Sequence, residues 1–136
     1  MTHKISIPKR FYAAAVTMEA ASRGLPKETV LLVKLRASFL NNCRFCIDMH
    51  TEEALKVGFT DARIRDIREG NLDSFSADEQ LILQFTTAGT LLPAESVDDS
   101  LRQRVEERFG AKQAGELVAT IATINMWNRI GVLSGK

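Results

Sequence analysis

Apolar side chains recur roughly every three to four residues along nearly the whole of this chain, and no other feature constrains its fold as much. Strand-like alternation is not sustained over any useful window, so the expectation is an all-α protein. The breakers fall between the periodic stretches. A first helix runs from after Pro8 to about Ser22, rich in alanine and closed by Gly24. Pro26 suits the first turn of a second helix, which carries Val30, Val33, Leu35 and Ala37 to about Leu40. Asn41 and Asn42 interrupt or re-cap the chain, because asparagine competes for backbone hydrogen bonds. A third helix holds Cys46 through Val57 and stops at Gly58. Thr60 caps a short helix, Asp61–Glu69, ended by Gly70. Ser76 and Glu79 form a capping box that opens a helix through Phe85. Beyond Pro93, Asp98–Phe109 reads as a charged helix stopped by Gly110, and Gln113–Ile130 as the last helix. The sum is a single-domain bundle of six or seven helices over residues 1–136.

With 136 residues, 45% hydrophobic and 26% charged, the chain can bury a substantial core and lacks the composition of a disordered protein. Eighteen Lys and Arg against 17 Asp and Glu leave a formal net charge of +1. That balance gives no electrostatic case for nucleic acid or an anionic membrane as partner. No apolar run approaches the roughly 20 residues of a bilayer span. Ala13–Val16 is too short for a signal-peptide core, and a cytoplasmic location is expected.

The chemistry gathers in Cys43-Arg44-Phe45-Cys46-Ile47-Asp48-Met49-His50. Both cysteines of the chain sit in this one CxxC, which in a cytosolic setting points to redox or metal chemistry rather than a disulfide framework. At about 100° per residue, Cys43, Cys46 and His50 fall within a sector of roughly 60° on one helix. The thiolate is the nucleophilic form of cysteine, and His50, one turn after Cys46, can take the thiol proton directly or through a water. A helix N-terminus near Asn41–Asn42 would favour negative sulfur. A second thiol nearby lets an oxidised cysteine close a disulfide, which stores two oxidising equivalents. Two rivals stand beside this reading. The three residues can be two small buried hydrophobes and a satisfied histidine. They can also hold zinc, which needs a fourth ligand where the other histidine is His3. The redox reading uses no metal and no cofactor, and the chain has no P-loop, GxGxxG turn or Ser-His-Asp order.

Other polar residues surround the motif. Ser38 is a candidate to line the site, and Arg36 is expected to pair with a carboxylate. Glu53 shares the face of Cys46 and His50 and can orient the imidazole, or it is a solvated glutamate. Asp48 points away, towards solvent. Trp127 is expected in the core or an interface, and Arg129 is expected to complement the C-terminal dipole of the last helix.

Leu35-Arg36-Ala37-Ser38 and Asn41 through His50, with Glu53-Ala54 following, resemble the alkylhydroperoxidase-D-like branch of the carboxymuconolactone decarboxylase family. Ile124 through Arg129 is similar to the same branch. The resemblance implies an all-α fold that assembles as trimers or hexamers. It implies a thiol-dependent peroxidase that reduces hydrogen or alkyl hydroperoxides at the expense of a dithiol or lipoyl-type reductant. It makes Cys46 the peroxidatic cysteine, Cys43 the resolving one and His50 part of a proton relay. The family places a relay glutamate twelve residues before the first cysteine, where this chain has Leu31. Glu28, about one turn earlier, and Glu53 are the carboxylates that can stand in for it. Two other functions stay open: a non-catalytic redox-sensing oligomer, and a lactone decarboxylase, whose members lack this CxxC. Long apolar helices in a short chain also favour a homo-oligomer, which buries such faces symmetrically.

Overall fold

The computed structural model describes residues 3–136. Its helices are α1 (Lys9–Ala21), α2 (Lys27–Asn41), α3 (Arg44–Lys56), α4 (Asp61–Glu69), α5 (Ala77–Leu91) and α6 (Asp99–Ser134), with a 3₁₀ turn at Ala94–Ser96. Among the described residues there is no strand. No helix is long and apolar enough to cross a membrane among these residues.

The axis of the bundle is α2. Between Leu31 and Ser38 every residue but Arg36 is buried, so this mostly apolar stretch is enclosed on all sides. Leu31, Leu32 and Leu35 pack with Ala54 of α3, Ile64 and Ile67 of α4 and Leu83 of α5. Val33 and Ala37 pack on the other side, with Ile82 and Phe85 of α5 and Val105, Leu117, Ile121 and Ile124 of α6. Helices α3 and α4 thus cover one flank of α2, α6 covers the other, and α5 spans both.

Local signals set several helix ends. Thr60 Oγ1 accepts the Arg63 amide at 3.1 Å. Ser76 and Glu79 close a reciprocal capping box, and Asp98 accepts the Leu101 amide at 2.8 Å. Gly70 ends α4 in the left-handed conformation that glycine adopts without steric cost.

Three boundaries differ from the sequence expectation. Helix α1 ends at Ala21 with Ser22 as its cap, and Gly24 is not a left-handed stop. A Cβ at Gly24 would meet only the movable end of the Glu116 side chain on α6. Helix α3 begins at Arg44, ahead of the expected Cys46, because Asn42 turns left-handed (φ 50°) and Cys43 is extended. The charged helix and the last helix run on as α6, which leaves helical geometry at Gly110 (φ 85°, ψ 161°) and continues past Ile130 to Ser134.

Candidate active site

Asn42 reverses the chain at the end of α2, and this turn builds the site. The Cys43 amide donates back to the Ser38 carbonyl at 3.1 Å, and the Cys43 carbonyl accepts the Ile47 amide at 2.8 Å. Cys43 is therefore the N-cap of α3 and not a residue within the helix. Cys46 falls in the first helical turn, where unpaired amides and the helix dipole favour negative charge. The two cysteines are joined in a disulfide across a Cα–Cα distance of 5.3 Å. His50 follows one turn after Cys46. Cys43, Cys46 and His50 are 1%, 2% and 3% exposed, so all three face inward on one flank of α3.

The cover over the sulfurs is the backbone of α6. The Trp127 carbonyl lies 4.0 Å from Cys46 Sγ. A Cβ placed on Gly131 would stand 2.7 Å from Cys43 Sγ and 3.6 Å from Cys46 Sγ, so only a glycine lets the helix come this close. A polar network locks α6 to the end of α2. Asn41 Nδ2 donates to Asn125 Oδ1 at 2.9 Å and to Asn128 Oδ1 at 3.0 Å. Asn128 Nδ2 donates to Ser38 Oγ at 3.0 Å, and Asn125 Nδ2 to Thr90 Oγ1 at 3.1 Å. Ser38 and Asn128 are fully buried, and every buried side-chain polar atom described finds a partner. Such a satisfied network fixes one arrangement of the cysteine turn.

The imidazole is oriented from its own helix. His50 Nδ1 lies 3.1 Å from Glu53 Oε1. An ionised carboxylate only accepts, so Nδ1 carries the hydrogen and Nε2 of the neutral ring is the free base. Burial, reinforced by the Lys34 ammonium, pushes His50 below its ordinary value of 6.5, while Glu53 and Glu19 act in the opposite direction. The neutral, proton-accepting ring is thus the favoured form near neutrality.

Of the remaining candidates, Glu28 is exposed in the first turn of α2 and forms no hydrogen bond or ion pair among the described residues. Leu31 is buried in the core. Asp48 is exposed. Arg36 meets no carboxylate. It donates to the Ile67 and Arg68 carbonyls at 2.9 and 3.1 Å and to Thr87 Oγ1 at 2.9 Å, so it caps the C-terminus of α4. Arg129 is exposed beside Asn125 and more than a turn short of the helix end. Trp127 packs against the α5–α6 core, and its indole Nε1 donates to Glu19 Oε1 at 3.1 Å. Sequence reasoning passed over Glu19, Lys34 and Gly131, and it gave Asn128 no role beyond its place in the Ile124–Arg129 stretch. A lysine inside the apolar run of α2 was a readable signal, whereas Glu19 and Gly131 acquire meaning only from distant partners. A cavity of about 520 Å³ lies on the opposite flank of α3, between Phe39, Ile47, Thr51 and Ile64, and neither cysteine nor His50 lines it. No group of three or more metal-binding side chains is gathered among the described residues.

An all-helical bundle with a buried CxxC disulfide and a histidine on the next turn defines an alkylhydroperoxidase-D-like protein. Residues 9–73 match the carboxymuconolactone decarboxylase family. The chain is 42% identical over 105 residues to the uncharacterised protein YdfG of Bacillus subtilis, covering 76% of this chain and 71% of YdfG. It is 34% identical over 98 residues to the uncharacterised protein YnjA of Escherichia coli, covering 70% of this chain but 52% of YnjA. A crystal structure of an Agrobacterium tumefaciens protein of unknown function, provisionally ascribed to AhpD antioxidant defence, superposes with a TM-score of 0.87 at 26% identity. That likeness covers 93% of this chain and 89% of the other. The chain belongs to the carboxymuconolactone decarboxylase family, in its alkylhydroperoxidase-D-like branch.

Proposed function

We infer that the protein is a thiol-dependent peroxidase that reduces hydrogen or alkyl hydroperoxides through a Cys43–Cys46 dithiol–disulfide cycle. The observation that carries this reading is the disulfide itself, with His50 oriented by Glu53 on the next turn of the same buried flank. In the reduced protein, Cys46 passes its proton to His50 and the thiolate attacks the terminal peroxide oxygen. The O–O bond breaks, Cys46 becomes a sulfenic acid, and the alkoxide takes the proton back from His50 and leaves as an alcohol. Cys43 then attacks the Cys46 sulfur, water departs and the disulfide closes. A dithiol or lipoyl-type donor reopens it by exchange and is itself oxidised. The net change is one peroxide and one dithiol to one alcohol, one water and one disulfide. A cytoplasmic setting, which keeps donor thiols reduced, accords with this cycle.

The test is steady-state peroxide consumption with several dithiol donors, run on the wild type beside Cys43→Ser, Cys46→Ser and His50→Ala. Cys46→Ser is expected to abolish turnover. Cys43→Ser is expected to stop after one oxidation, and His50→Ala to lower the rate about 10²–10⁴-fold, the usual worth of general acid–base help. Full activity in Cys46→Ser contradicts the reading.

A second reading, a non-catalytic redox-sensing oligomer, draws on the burial of both sulfurs beneath α6. Opening and closing the disulfide there would alter α6 packing. A particle mass that changes on adding dithiothreitol, without peroxide turnover, favours it.

A further inference from the structure

Asn128 of α6 is fully buried, and both ends of its amide engage α2. Its Oδ1 accepts Asn41 Nδ2, and its Nδ2 donates to Ser38 Oγ, each at 3.0 Å. Ser38 is also the residue whose carbonyl accepts the Cys43 amide at 3.1 Å. On α6, Asn128 stands between the two points that touch the sulfurs. Trp127 precedes it, with its carbonyl 4.0 Å from Cys46 Sγ. Gly131 follows three residues on, against Cys43 Sγ. One amide thus joins the residue that anchors Cys43 to the backbone that covers both cysteines. Among the described residues, no side-chain hydrogen bond beyond Asn128 ties α6 to another helix. Apolar groups of the same shape can replace a buried hydrogen-bonded pair at little cost, so stability alone does not account for this one. A satisfied buried network supplies a single fixed arrangement instead.

We propose that Asn128 is a positioning residue of the Cys43–Cys46 couple: by clamping α6 to the end of α2 it keeps the sulfurs together and shifts their equilibrium with a donor dithiol towards the disulfide. The inference deepens the dithiol–disulfide reading and rests on it. In reduction, the donor dithiol gives up two electrons and two protons and becomes a cyclic disulfide. The Cys43–Cys46 bond breaks and both residues become thiols. Two thiols meet at van der Waals contact rather than through a bond, so the sulfurs have to separate. Cys43 and Cys46 are 1% and 2% exposed, and Gly131 already stands against Cys43 Sγ, so α6 has to yield for that separation. The 520 Å³ cavity supplies no room, because neither cysteine lines it. The Trp127 carbonyl adds to the bias, since an oxygen acceptor suits a Cys46 thiol but repels a thiolate. A clamp that resists movement of α6 therefore penalises the dithiol and spares the disulfide.

The test is equilibrium reduction of the full-length chain in buffers of graded reduced-to-oxidised dithiothreitol ratio, with protein thiols counted after quenching. Asn128→Ala and Ser38→Ala are each expected to make the disulfide about three- to tenfold easier to reduce, the worth of one buried hydrogen bond. Ser38→Ala keeps the carbonyl that holds Cys43, so it reports on the clamp even where Asn128→Ala does not fold. Thr86→Val removes a buried hydroxyl that bonds only within α5. It is expected to lower the urea midpoint and leave the redox equilibrium at the wild-type value. In the wild type, reduction is expected to speed amide hydrogen exchange over Gly131–Ser134. An unchanged or opposite equilibrium in Ser38→Ala, an equal shift in Thr86→Val, or equal exchange in both redox states overturns the proposal and leaves Asn128 a structural tie. The expected shifts in a protein that consumes no peroxide uphold the clamp and sink the peroxidase reading. Peroxide turnover without those shifts does the reverse.

Discussion

His50 gives this molecule a pH dependence just below neutrality. Burial and then Lys34 hold it below 6.5 in the folded protein. The unfolded chain therefore binds a proton that the folded chain refuses. Stability from this residue is fully present above 6.5 and is lost as pH falls from there through the lower folded value. The loss is about 1.4 kcal/mol for each tenfold difference in proton affinity between the two states. Urea midpoints of the oxidised protein at pH 7.5 and pH 5.5 check this, with His50→Gln flattening the dependence. Burial draws Glu19 upward, but its ion pair with Lys34 prevails and holds it below 4.5, so its own contribution fades only in stronger acid.

At the scale of elements, the contact between α6 and the cysteine turn decides the geometry of the site. Gly131→Ala forces a Cβ to within 2.7 Å of Cys43 Sγ. Replacing a helical glycine gains about 0.5–1 kcal/mol, but overpacking costs about 1–3 kcal/mol and wins. Gly115→Ala in the same helix meets open space and is expected to stabilise by the smaller amount. Denaturant midpoints of the two variants should move in opposite directions. The same contact marks the limit of what the sequence discloses. The ends of α4 and the start of α5 are legible because Thr60, Gly70, Ser76 and Glu79 act within a turn of themselves. The His50–Cys46 relation is legible for the same reason. The seat of Gly131 in the last turn of α6 was not, because the sulfurs it approaches lie far away in sequence. Glu19 was not, because its partners Lys34 and Trp127 lie 15 and 108 residues off.

At the scale of the whole molecule, α1 leaves Phe11, Tyr12, Val16 and Met18 about half exposed, and Val132 and Leu133 of α6 are exposed as well. Several exposed apolar side chains on one short helix suit an association site, and identical chains cover such surface most simply by symmetry. We expect a homo-oligomer, a trimer or hexamer by family likeness, and light scattering at micromolar concentration should give a mass well above the 15.1 kDa of one chain. A monomer would contradict this, and Val16→Glu should weaken assembly without touching the cysteine turn. The dithiol cycle itself is tested most directly by a single turnover. The fully reduced protein is mixed with one equivalent of hydrogen peroxide, its thiols are counted against time, and the product is mapped. The account predicts loss of both thiols into one Cys43–Cys46 disulfide far faster than an ordinary free cysteine reacts. Thiols that persist as long as free cysteine does would contradict it.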